Sequence, residues 1–154
     1  MNSKPLQLSP LKNNDMLLLH CYMLKGDFPD VPKDYEDALP YFEETTNFGV
    51  FKEGQLIAGL LLGDITSESA FLDVVAAPSA KGYWATPHIL SQVYDFIFNK
   101  LKLDFIWVQP QSSTALKAAL TAGFVFATPF DAEEDILILT KRNLPKRFRN
   151  KLEK

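Results

Sequence analysis

The sequence predicts an α/β (α+β) domain: a mixed, mostly antiparallel sheet of about six to seven strands with helices on both faces. Three observations carry this. "FGVFKEGQLIAGLLLGDI" reads as a hairpin, Phe48 to Lys52 and Leu56 to Ile65, turning at Glu53-Gly54. "PHILSQVYDFIFNKL", Pro87 to Leu101, has apolar residues at 89, 90, 93, 94, 97, 98 and 101, one broad helical face. Three neighbouring strands then precede one β-α-β crossover, which excludes a doubly wound parallel sheet.

The elements follow in order. "PLQLSP" reads as a short first strand, and Asp15 to Leu24 as an apolar helix capped by Asn14 or Asp15. Gly26, Pro29 and Pro32 mark a loop. "YEDALPYFEE" reads as a short helix broken or bent at Pro40. After the hairpin, "SESAFLDVVAAP" is a third strand of that group. "DFIWVQ" is a strand, and "SSTALKAALTAG" is a helix with Gly123 at its C′ position. "FVFAT" and "DILILT" are two more strands, joined through Pro129 and Asp131. We divide the chain into a domain over residues 1–140 and a basic tail over 141–154.

Composition narrows the function classes. With 47% apolar and 23% charged residues in 154, the chain has the make-up of one soluble globular domain. A net charge of −3 gives no global bias toward nucleic acid. One cysteine, Cys21, excludes an internal disulfide framework. Two histidines and one cysteine are too few and too scattered for a metal site, so we expect no metal. No apolar run approaches the ~18 residues of a membrane span, and the N-terminus lacks a secretory core. The expected location is cytoplasmic.

The chemistry-bearing stretch is "VAAPSAKGYWATPHIL", residues 75–90. A strand delivers the chain to a loop of small residues, which turns into a helix whose first N–H groups lack internal partners. Those groups and the helix dipole attract anions. Lys81 adds positive charge and Gly82 allows close backbone approach. Taken alone, the pattern reads either as a diphosphate cradle or as a plain turn.

The element order, with "VAAPSAKGYWAT" before the central helix and "SSTALKAALTAGF" after the next strand, resembles the GNAT superfamily of acyl-CoA-dependent N-acyltransferases. The family's first site is a strand ending in Val-x-x-Pro or similar, then Arg/Gln-x-x-Gly-x-Gly/Ala. Lys81, Gly82, Tyr83, Trp84, Ala85 and Thr86 fall on those six positions. Its second site is Asn-x-x-Ala-x-x-x-Tyr-x-x-x-Gly-Phe; Ser112, Ala115, Ala119 and Gly123-Phe124 fall there. The resemblance runs from about Phe48 to Thr140. The tryptophan in the loop looks like variants of bacteria and phages.

The resemblance implies acyl-CoA, taken as acetyl-CoA, as the acyl donor. Main-chain N–H groups from Lys81 to Thr86 would hold its pyrophosphate. Val74, Val75 and Ala76 would pair with the pantetheine like an extra strand, and Ser112 would replace the asparagine that contacts it. An amine, small or peptidic, would attack the thioester directly, and a homodimer is a common family state. The chain departs from the pattern in three ways. Trp84 and Thr86 replace two glycines, Pro87 lacks an N–H, and Ala119 stands where many members carry a tyrosine general acid. A non-catalytic GNAT-fold interaction module, for example a phage virion or host-interaction component, is the rival reading. An open gap between the strands at Val74–Ala76 and Ile106–Gln109 separates the two.

A base is needed for the attacking ammonium. Asp73, on the strand before the loop, is our candidate, with Asp64 behind it; each also reads as a carboxylate on a polar face. His88 reads as a proton carrier or as an exposed first-turn side chain. His20 and Cys21 are adjacent on a helix, do not face each other, and are placed in the core or half-core. Asp27 to Glu44 holds seven acids and one lysine, either a wall attracting a cationic amine or a solvated face. The tail from Lys141 has seven basic residues and one glutamate, either a dock for nucleic acid, an anionic membrane or an acidic partner, or a solvated, partly disordered terminus.

Overall fold

The computed structural model describes residues 6–26, 28, 30–80, 83–128, 134–146 and 148. Its strands are β1 (Gln7–Pro10), β2 (Thr46–Lys52), β3 (Gln55–Gly63), β4 (Ser69–Ala76), β5 (Phe105–Val108), β6 (Val125–Phe126) and β7 (Leu137–Thr140). Its α-helices are α1 (Asn13–Lys25), α2 (Tyr35–Glu43), α3 (Pro87–Tyr94) and α4 (Ser113–Thr121). The strands make one sheet in the order β1-β2-β3-β4-β5-β7-β6. β4 and β5 run parallel, while β1–β2, β2–β3, β5–β7 and β6–β7 are antiparallel. The predicted element order and mixed sheet are observed. The expected link through Pro129 and Asp131 lies outside the described residues. The chain groups into two compact units, residues 1–63 with 73–90, and residues 64–72 with 91–154.

In the first unit the hairpin turns at Glu53 and Gly54, both at positive φ (51° and 82°). That is the geometry a two-residue turn needs to match the strands' twist. α1 starts earlier than its apolar pattern suggested. Asp15 is not the cap but the third helical residue, and its carboxylate accepts the Lys12 N–H at 2.8 Å. Leu19, His20 and Met23 are the buried stripe of α1. Cys21 lies on the other face and is exposed, which corrects its expected place in the core. His20 is buried as expected, its Nε2 2.7 Å from the Pro32 carbonyl.

Of the two expectations at Pro40, break or bend, the break does not occur: α2 runs through it from Tyr35 to Glu43. A proline removes one ladder bond, but Ala38 and Phe42 of α2 are buried with Leu19, Met23, Leu61 and Val75, and that packing holds the helix. Gly59 lets α1 approach β3 closely. A Cβ there would lie 2.5 Å from Leu19 Cδ1. Leu19 is fully buried and has nowhere to go. Gly59→Ala is expected to destabilise the fold by about 1–3 kcal/mol, read from denaturant unfolding.

In the second unit α4 ends as predicted, with Gly123 at φ 107°. The helix expected from Pro87 to Leu101 changes pitch. After Tyr94 it widens into a π-helical segment, Asp95–Lys100, and the Leu101 N–H bonds back to Phe96 O at 2.8 Å. Ile97 and Phe98 of that segment are buried. The basic segment carries core residues: Leu144 and Phe148 are each about 1% exposed, and the Phe148 ring meets Tyr94 edge-on at 5.3 Å. It is therefore not a wholly solvated terminus, because its apolar residues are spent on the unit's interior.

Candidate active site

β4 sets up the site. Its burial alternates through Ala70 and Leu72, then resumes at Val75, out of phase by one residue. The slip falls at Asp73 and Val74, both half-buried. β4 is in register with β5 only at Ser69, Ala70 and Phe71, although the strand runs on to Ala76. Beyond Ala76, the Ala77 N–H donates to Ile57 O of β3 at 2.9 Å. Successive residues of an extended chain turn their amides to opposite edges. Ala76 therefore directs its N–H and C=O away from β3.

The loop after β4 distributes its amides unequally. A 3₁₀ turn, Pro78–Ala80, follows the strand, and the Tyr83 N–H is spent on Ala80 O at 3.1 Å. Thr86 caps α3: its Oγ1 accepts the Ile89 N–H at 3.3 Å, and its carbonyl accepts that of Leu90 at 2.9 Å. Pro87 has no N–H to offer. The main-chain N–H groups of Trp84, Ala85, Thr86 and His88 have no partner among the described residues. Within the stretch expected as a cradle, Lys81 to Thr86, the Tyr83 N–H is committed to Ala80, and Lys81 and Gly82 lie outside the described residues. The Tyr83 ring is 68% exposed, and Trp84 is half-buried.

Asp73 is the titratable centre of the first unit. Burial raises its carboxyl above the ordinary carboxylate range, against a hydrogen bond from Tyr41 that favours the ionised form. That bond is donated by the Tyr41 hydroxyl of α2 to Asp73 Oδ2. Tyr41 is the residue that sequence reasoning missed. It lies 32 positions away, and no motif or spacing marks it. Asp64, the weaker candidate, is exposed in a left-handed conformation (φ 47°) after β3. The side chain of His88 is exposed. Among the described residues no group of three His, Cys, Asp or Glu side chains could hold a metal, and no helix is long and apolar enough to cross a membrane.

No protein-family model matches the chain, and no curated protein matches it. Solved structures do. A chimera of the Vibrio cholerae spermidine N-acetyltransferase SpeG and hSSAT superposes with a TM-score of 0.73 at 16% identity, covering 96% of this chain and 99% of that one. The Vibrio cholerae enzyme in complex with CoA and spermine gives 0.71 at 17% identity, covering 90% and 96%. Its dodecameric structure in an intermediate state gives 0.68 at 18%, covering 88% and 93%.

The chain has the GNAT fold.

At such identities the likeness fixes the fold alone. Within the GNAT fold, the second expected site falls on α4 of the second unit. Ser112 is its N-cap: the Oγ accepts the Ala115 N–H at 3.1 Å. Expected as a pantetheine contact, Ser112 also has this structural task, and its hydroxyl keeps a proton to donate. Ala119 accepts the Phe124 N–H at 3.0 Å through its carbonyl, so its main chain helps to end the helix. Its side chain carries no acid.

Proposed function

We propose that the chain is an acyl-CoA-dependent N-acyltransferase that moves an acetyl group onto a cationic amine. The observation that carries this reading is the run of β4 into its loop. A half-buried carboxylate, a main-chain edge turned away from β3 and four amides with no partner among the described residues follow one another from Asp73 to His88. Those groups suit acyl-CoA. Ala76, with Val74 and Val75 beside it, would pair with the pantetheine. The amides of Trp84, Ala85, Thr86 and His88, with Lys81, Gly82 and Tyr83 leading into them, would face the pyrophosphate. Ser112 remains a candidate pantetheine contact. The neighbours with this fold support the reading, since they are named as spermidine acetyltransferases, one with CoA and spermine bound.

Bound acyl-CoA supplies the thioester, whose C–S bond breaks as the amine nitrogen forms the new C–N bond. Asp73, ionised, takes a proton from the acceptor's ammonium and so frees the lone pair that attacks. Its raised pKa suits this, because a base titrating nearer the working pH both accepts and releases a proton readily. Main-chain N–H groups near the end of β4 polarise the acyl carbonyl. As the amide forms, the nitrogen sheds its second proton through solvent to the departing sulfur, which leaves as the CoA thiol, and Asp73 later returns its own proton to solvent. Glu36, Asp37, Glu43 and Glu44 of α2 are exposed and raise the local concentration of a cationic acceptor.

The domain over 1–140 is the catalytic part of this reading, and the basic segment 141–154 is anchored to it through Leu144 and Phe148. A cytoplasmic setting fits an exposed free thiol at Cys21. Self-association is part of the proposal, since one neighbour is described as dodecameric.

The test is isothermal titration with acetyl-CoA, repeated with Ala85→Pro and Lys81→Glu. Saturable binding is expected. It should weaken by about tenfold or more in Ala85→Pro, since a hydrogen bond to a charged group contributes ~1.5–3 kcal/mol. No binding of acetyl-CoA or CoA would refute the enzyme reading.

A further inference from the structure

Asp73 does not stand alone. Its partner comes from α2, the helix that carries the exposed acids Glu36, Asp37, Glu43 and Glu44. β3 between Leu56 and Gly63 offers no ionisable side chain, and β4 has no ionisable residue besides Asp73 itself. Among the described residues, the hydroxyl of Tyr41 is the titratable group hydrogen-bonded to this carboxylate. The Tyr41 ring is held by the helix and by an edge contact with the buried Phe42, centroids 5.8 Å apart.

We propose that Tyr41 is the positioning residue of the acyl-transfer base: its hydroxyl fixes the Asp73 carboxylate in one orientation and sets the pH at which that carboxylate becomes able to accept a proton. This rests on the reading of Asp73 as the base. A carboxylate that accepts a hydrogen bond is stabilised in its charged form, whereas the protonated acid gains less from the same donor. One carboxylate oxygen is engaged by Tyr41, which leaves the other to receive the acceptor's proton. Because the donor is on α2, the docking of that helix and the readiness of the base are coupled. An acceptor held by the acids of α2 meets a base oriented from the same helix.

The experiment compares the wild type with Tyr41→Phe, which removes the hydroxyl and keeps the ring, so Phe42 retains its neighbour. The Asp73 carboxyl carbon is followed by NMR across pH, and kcat/KM with a polyamine acceptor is measured over the same range. The expected result is an upward move of the Asp73 midpoint in Tyr41→Phe. The acid limb of kcat/KM should move up by the same amount, with acetyl-CoA affinity unchanged and much of the rate regained at higher pH. An Asp73 midpoint unmoved by Tyr41→Phe overturns the proposal. If the midpoint moves and the acid limb does not, Asp73 is not the base and the positioning role falls with it. If the wild type moves no acyl group to any amine, the functional reading fails, and the NMR titration still reports whether Tyr41 holds Asp73.

Discussion

Asp73→Asn is expected to lower acyl transfer near neutral pH by about 10²–10⁴, the range lost with a positioned general base, while acetyl-CoA affinity stays within a few-fold of wild type. In the proposed reading the two readouts separate, because Asp73 would handle the acceptor's proton while main-chain groups farther along would hold the donor. The same substitution has a stability signature of opposite sign. The folded-state pKa of Asp73 is raised, chiefly by burial. The folded protein therefore binds this proton more tightly than the unfolded chain does. The stability this gives is fully present below the unfolded carboxylate value of about 3.9 and is lost as pH rises through the folded value. Near neutrality wild-type Asp73 is a partly buried charge, and Asn is not. Asp73→Asn should melt above wild type at neutral pH, with the gap narrowing as pH falls. A variant that loses activity and also melts lower at neutral pH would point to a structural role instead.

Phe148→Ala is expected to cost about 3–5 kcal/mol in denaturant unfolding, the usual loss for a buried phenylalanine. Phe148 is about 1% exposed and meets Tyr94 edge-on. The control is Arg142→Ala in the same basic stretch. Arg142 is exposed, and its loss should stay within about 0.5 kcal/mol. If both variants unfolded like wild type, the segment from Lys141 would be a detachable tail. The expected contrast makes Phe148 a core residue in a charged context, where the hydrophobic contribution of one ring outweighs the solvation of its basic neighbours.

The fold was legible in the sequence wherever a local rule is strict. Glu53-Gly54 announces its hairpin because a two-residue turn demands positive φ there. Gly123 closes α4 for the same backbone reason. The apolar period from Ile89 to Leu101 marks the buried face of α3 and its extension, though not the change of pitch after Tyr94. Where packing competes with a local rule, the sequence misleads. Pro40 left a break or a bend open, yet Ala38 and Phe42 are buried on either side of it and the helix is not broken. Cys21 lies in an apolar run, yet α1 turns its other face inward.

For the candidate site the division is sharper. The sequence by itself determined the strand and the start of the helix after it, and so placed the candidate Asp73 on that strand, because strand ends and helix starts obey short-range rules of dihedral angle and hydrogen bonding. Only the tertiary structure decided which amides have no partner among the described residues. The Tyr83 N–H is taken by the Ala80 carbonyl and that of Ile89 by the Thr86 cap, choices made by the full path of the chain. Only the tertiary structure found Tyr41. Its hydroxyl reaches Asp73 because α2 packs its apolar side on the first unit's core, which brings together residues 32 positions apart, and no local period in the sequence encodes such a contact.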